Sequence, residues 1–159
     1  MSRLNKNLLL LAKIENKQYK ETELVDLTEY INNDLPLYRD LYPNHTIKLI
    51  DKRRDQLKIL TNPTLLNSLI TNLVINAIHH SPVNGNIEIE LNNDMLSISN
   101  EAKEGALDDK ILFHRYNTDK KNSNGLGLAI VKAICTYHGW QVSYLFHAEK
   151  HIFQVDFQK

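Results

Sequence analysis

The chain has 159 residues, enough for one compact domain and too few for two ordinary ones. Apolar residues make up 42% and charged residues 24%, a globular balance that excludes a disordered, collagenous or coiled-coil chain. Nineteen basic residues offset nineteen acidic ones, so no global attraction to nucleic acid or anionic membrane is expected, and the lone Cys135 excludes an internal disulfide and fits a reducing compartment.

Leu4, Leu8, Leu11 and Ile14 recur at helical spacing and predict an amphipathic helix over residues 3–16. Its apolar patch is far shorter than the roughly 20 residues that span a bilayer. The polar stretch 15–23 reads as a joint, which makes residues 1–20 an appendage and residues 21–159 the main domain. A second helix starts at Asp26, whose carboxylate caps while Glu29 reaches back, and Pro36 is expected to kink or end it. Two β-type segments, 45–50 and 57–60, are read as a hairpin across a charged connector. Asn62 as cap and Pro63 at the first helical position open a third helix that must stop before Pro82.

Ile87, Ile89 and Leu91, then Leu96 and Ile98, alternate as two paired antiparallel strands. Residues 107–113 are expected to form a short helical piece and 117–124 a polar loop. Gly125 and Gly127 open a helix that Gly139 closes as a left-handed cap. A last hairpin alternates through Val142, Tyr144 and Phe146, then Phe153, Val155 and Phe157. The sum is an α+β two-layer sandwich, a mixed and mostly antiparallel sheet against about three helices.

Asn72 and Asn76 stand four residues apart with His79 three further on, so the three share one arc of the third helix. An amide oxygen is a hard neutral ligand that suits magnesium completed by water and phosphate oxygens. Taken alone, such a pair is more often a solvated helix face. Gly125-Leu126-Gly127 ahead of an apolar helix lets phosphate approach backbone N–H groups at the helix start. Taken alone, it is as often a simple turn. It is neither the dinucleotide fingerprint nor a Walker loop, since the third glycine and the Gly-Lys-Ser/Thr are missing.

The motifs in order are more specific. Asn72-Leu73-Val74-Ile75-Asn76-Ala77-Ile78-His79-His80-Ser81-Pro82 resembles the N box of sensor histidine kinases, Ile111-Leu112-Phe113-His114-Arg115-Tyr116 their F box, and Gly125-Leu126-Gly127-Leu128-Ala129-Ile130-Val131 their second glycine box. From about residue 25 onward the chain resembles the ATP-binding catalytic domain of a two-component sensor histidine kinase, a GHKL-superfamily domain with the Bergerat fold. The first helix resembles the end of that family's dimerisation hairpin.

The resemblance implies ATP and Mg2+ as cofactors and carries roles over position by position. Asn76 would hold magnesium, and Asn72 would order the phosphate and water shell in a catalytic role. His79 stands where a phosphate-contacting lysine is usual, and His80 where an aromatic packs near the ribose. Gly125, Leu126 and Gly127 would supply backbone contacts to the phosphates, with Leu128 anchoring the helix behind them; Ser123 replaces a further glycine. Lys120 and Lys121 in the lid, and Arg115 as a second catalytic group, would reach the terminal phosphate. Asn100 replaces the aspartate that accepts from adenine, and Asn100-Glu101-Ala102-Lys103-Glu104 replaces Asp-x-Gly-x-Gly, with Gly105 as a partial substitute. His45, His114, His138, His147 and His151 are read as surface or strand-edge residues, and none begins a phosphoacceptor pattern.

The expected whole is a membrane-anchored homodimeric sensor with this domain in the cytoplasm. Its partners would be the dimerisation and phosphoacceptor domain of the same protein and a response-regulator receiver domain, with no nucleic acid. The chain itself would lack its target histidine and be monomeric or weakly dimeric. Two rivals stand beside this reading. One is a degenerate domain that binds ATP weakly or not at all and acts as a signalling scaffold, favoured by His79, Asn100, Ala102, Glu104 and Ser123. The other is a different GHKL ATPase.

Overall fold

In the computed structural model, which describes residues 2–53, 55, 58–116 and 125–158, eleven elements follow one another. They are α1 (Arg3–Glu15), β1 (Glu23–Asp26), α2 (Leu27–Leu41), β2 (Thr46–Asp51), β3 (Lys58–Thr61), α3 (Pro63–His80), β4 (Asn86–Asn92), β5 (Met95–Glu101), α4 (Gly127–His138), β6 (Gln141–His147) and β7 (Lys150–Asp156). Five strands form one sheet in the order β2-β4-β5-β7-β6, and β1 with β3 forms a separate two-stranded ribbon. Within the large sheet β2 runs parallel to β4 and the other neighbours are antiparallel. This is the expected α+β architecture.

Alternation decides which face of the sheet meets the helices. Ile87, Ile89 and Leu91 of β4, Leu96 and Ile98 of β5, and Phe153 and Val155 of β7 point inward and are essentially inaccessible to water. They meet α3, which buries Leu65, Leu66, Leu69, Ile70, Leu73, Val74 and Ala77. That stripe is broad enough to pack on the sheet and on α4 at once, and each fully buried leucine contributes about 2 kcal/mol. Asn62 fixes where α3 begins: its Oδ1 accepts from Leu65 N–H at 3.1 Å, and its Nδ2 donates to the Glu21 carbonyl at 2.8 Å. Gly139 ends α4 at φ 77°, a left-handed position that glycine takes without strain. Cys135 is buried behind α4, and desolvation pushes its thiol up to about 12, which leaves it no nucleophilic role.

Several expectations change. Residues 45–60 do not form a hairpin: β2 pairs with β4 and β3 with β1. The end of the supposed joint at 15–23 is the start of strand β1. Pro36 neither ends nor breaks α2, which continues to Leu41. The carbonyl deprived of its partner belongs to solvent-exposed Asn32, while Leu35 and Tyr38 on the opposite side hold the helix in the core. Residues 107–113 form no helix: turns run from 109 to 113, and 107 and 108 are irregular. Leu11 and Ile14 of the first helix join the common core as α1 packs on α4.

Candidate functional site

One end of the site lies where α3 meets the start of α4. Asn72 and Asn76 are half-buried on α3. The Asn72 Nδ2 donates to the Ser68 carbonyl at 2.8 Å, and its Oδ1 would lie 3.1 Å from a Cβ placed on Gly127. Gly127 therefore lets α4 start directly against the asparagine. The preceding Gly125 has φ 71°, so both glycines of the motif have a structural reason. Leu126 is fully buried and α4 begins with no capping side chain, which leaves its first-turn N–H groups to be answered by other means. Leu128 packs half-buried against the core. Tyr116 N–H donates to the Gly125 carbonyl at 2.7 Å. Lys120, Lys121 and Ser123 lie outside the described residues.

Asn76 carries a specific signature. Its Nδ2 is buried and has no hydrogen-bond partner, a cost of about 1–3 kcal/mol unless a ligand meets the carboxamide. No cluster of three or more His, Cys, Asp or Glu side chains suited to a metal occurs among the described residues. The orphaned Nδ2 only donates and is not itself a ligand to a cation; a magnesium ion would fit here through the Asn76 Oδ1, carried by phosphate oxygens.

The other end lies where β5 meets β7. Asn100 faces inward at 1% exposure; its Nδ2 donates to the Glu101 carbonyl at 2.9 Å, while its Oδ1 has no partner. The side chain thus presents a lone buried acceptor. The glycines expected after it are not needed along the path the chain takes. β5 continues through Glu101, Ala102 N–H donates to the Glu149 carbonyl at 2.8 Å, and Lys103 N–H to the His80 carbonyl at 3.1 Å. Gly105 does not substitute for them, because a Cβ there would meet nothing within 4 Å.

His80 lies edge-on to His151 with ring centroids 5.6 Å apart, and His79 is half-buried beside it on α3. His114 and His147 are exposed as expected, but His138 and His151 are buried. His138 stacks on Trp140 and ties α4 to Thr61 through its Nε2 at 3.0 Å. His151 was legible all along as an inward position, since it shares parity with Phe153 and Val155.

Arg115 is ion-paired with Glu15 of α1. A separate cleft of about 540 Å³ near the start of α2 includes Asp26, Glu29, Asp51, Arg53 and Asp55, and none of the expected nucleotide residues line it. Its carboxylates outnumber its arginine and repel a triphosphate. Asp51 there titrates below the usual carboxylate range: desolvation pushes it up, but N–H and guanidinium bonds from Arg53 and the Thr28 hydroxyl outweigh that. Among the described residues no helix is long and apolar enough to cross a membrane.

Residues 61–157 match the family model described as histidine kinase-, DNA gyrase B-, and HSP90-like ATPase. The heme sensor protein HssS of Staphylococcus aureus is 32% identical over 145 residues, covering 87% of this chain and 32% of the relative. The chain thus spans about a third of the length of such relatives. Among solved structures, the Acinetobacter baumannii histidine kinase AdeS superposes with a TM-score of 0.78 at 22% identity, over 98% of this chain and 78% of that one. A mycobacterial sensor histidine kinase, MprB, gives 0.71 at 22% identity, over 84% and 95%. These two likenesses are of fold.

Proposed function

Because the chain belongs to the histidine kinase-, DNA gyrase B- and HSP90-like ATPase family, whose members bind ATP, we propose that it is the Mg-ATP-binding catalytic domain of a sensor histidine kinase. The γ-phosphoryl group passes to an imidazole nitrogen of a histidine on the dimerisation domain of the same protein: a P–N bond forms as the bond to the β,γ-bridging oxygen breaks, and ADP leaves. A response-regulator aspartate then receives it. The working form is a homodimer whose catalytic domains face the cytoplasm.

One observation carries this reading: two carboxamides, half-buried Asn76 on α3 and buried Asn100 on β5, each keep one buried polar atom without a partner. Buried orphans of this kind mark places where a ligand completes the hydrogen bonding. Asn76 meets the phosphate end and Asn100 the base, with the Gly125 to Gly127 turn cradling the phosphates between them. Bound magnesium supplies neutralisation of charge on the triphosphate oxygens. The residues of this chain contribute position: glycine backbone, α4 first-turn N–H groups, and the Asn72 carboxamide held by Ser68.

The scaffold reading draws on the rebuilt path after Asn100, where no glycine is required. Calorimetric titration with a non-hydrolysable ATP analogue, with and without magnesium, separates the two. Binding that weakens about tenfold or more without magnesium is expected, in line with loss of an ion that bridges protein and phosphates. No heat at millimolar analogue would leave the scaffold.

A further inference from the structure

The buried acceptor on Asn100 has a neighbour that the motifs do not mention. In the register of β5 against β7, Asn100 lies directly opposite His151, and both are 1% exposed on the inward face. Directly opposed side chains have Cβ atoms about 5 Å apart. The Asn100 Oδ1 is nonetheless without any partner, so the two side chains do not satisfy each other.

The protonation pattern of His151 follows from its other contacts. Its Nδ1 lies 2.9 Å from the Tyr144 hydroxyl, and that hydroxyl oxygen already accepts from Leu107 N–H at 3.0 Å. The hydroxyl oxygen could accept twice, but among the contacts described only donation to Nδ1 gives the Tyr144 hydrogen an acceptor, and this assigns Nδ1 as unprotonated and the proton of the neutral ring to Nε2. Desolvation holds the imidazole below the usual histidine value, which keeps the ring neutral near pH 7. Tyr144 stacks on the ring at 5.9 Å, and Phe146 and His80 flank it at 5.3 and 5.6 Å, which fixes its plane. The hydrogen bond of His151 described above runs through Nδ1, which leaves Nε2 as the second polar atom of the ring.

We propose that His151 is a second base-contacting residue, whose Nε2–H donates to N1 of adenine while the Asn100 Oδ1 accepts from the exocyclic amine. The two side chains together present one acceptor and one donor, the complement of adenine's Watson–Crick edge. A 6-oxopurine with a proton on N1 sets acceptor against acceptor and donor against donor. Tyr144 is a positioning residue that acts through the tautomer of His151. This rests on the nucleotide reading above.

The test compares Mg-ADP with Mg-1-deaza-ADP, which keeps the amine and lacks the N1 acceptor, by calorimetry on the whole chain. The wild type is expected to bind the 1-deaza nucleotide roughly fivefold to tenfold more weakly, the effect of one buried hydrogen bond. His151→Phe keeps the aromatic packing and should bind the two nucleotides equally. His151→Gln, which retains a donor, should restore part of the discrimination, and Tyr144→Phe should reduce it. Equal binding by the wild type overturns the proposal without any variant having to fold, and so does undiminished discrimination in His151→Phe. Failure of both nucleotides to bind at millimolar concentration overturns the nucleotide reading itself, a result distinct from equal binding.

Discussion

At the phosphate end of the site the work is assigned to backbone: Gly125 at a positive φ, Gly127 packed against Asn72, and the uncapped start of α4. At the base end it is assigned to side chains, Asn100 and His151, on strands whose backbones are fully paired. The two constructions respond differently to sequence change. A backbone cradle is defined by the space it leaves, so a Cβ in the wrong place closes it, whereas many side chains around it are interchangeable. A side-chain site is defined by the polarity of a few atoms, so it changes when an acceptor is lost and survives changes in loop path. The chain keeps the motif glycines at Gly125 and Gly127 and departs from the motif after Asn100, where β5 continues along a path that requires no glycine.

The comparison is broken most severely at Asn76, the side chain proposed to meet the magnesium ion at the phosphate end. Asn76→Leu should weaken Mg-ATP binding more than about tenfold, over 1.4 kcal/mol, while changing magnesium-free binding little. Calorimetry in both conditions checks this. A uniform loss with and without magnesium would move Asn76 from ion contact to ordinary packing.

A smaller effect, with a sharper signature, belongs to Asn100. Its Oδ1 is buried without a partner in the ligand-free chain, so replacing the side chain by an apolar one of similar volume removes that cost, offset in part by the lost bond to the Glu101 carbonyl. Asn100→Leu should leave the ligand-free protein as stable or up to about 1 kcal/mol more stable, while ATP binds about fivefold more weakly. Chemical denaturation and titration on the same preparation measure both. Stability and binding falling together would make Asn100 a packing residue.

How much of this was legible depends on which physical signal a feature leaves in the chain. The start of α3 was plain because capping chemistry is local: Asn62 and Pro63 act within one turn. The inward faces of β5 and β7 were equally plain from alternation, and parity alone puts Asn100 with Ile98 and His151 with Phe153. The residue type of His151 points to a strand edge, and its register with Phe153 overrides that. Strand partners were not legible in the first half, since β1 and β3 are four residues each and nothing local says that β2 pairs in parallel with β4 rather than with its neighbour in sequence. The tautomer of His151 depends on Leu107 and Tyr144, which adjoin it only in the folded chain. The effect of Pro36 depended on whether the carbonyl it strands faces water, a fact of packing rather than spacing.

The smallest expected effect concerns Arg115, which the motif places at the phosphates and the structure pairs with Glu15. Both side chains are substantially exposed, 44% and 58%, so the pair contributes little to stability, on the order of 0.5 kcal/mol or less. A cation held this weakly is available to a stronger anion, and a triphosphate at the start of α4 is one. Glu15→Gln removes the competing carboxylate and keeps the arginine. It should leave the denaturation midpoint nearly unchanged and tighten ATP binding about twofold more than ADP binding, because only the terminal phosphate gains a partner. Raising the salt concentration should erase that difference. Arg115→Ala should abolish it in the Glu15→Gln background, since the advantage of the triphosphate then has no guanidinium to act through. Equal tightening of ATP and ADP would place the arginine short of the terminal phosphate and leave that end of the site to backbone alone.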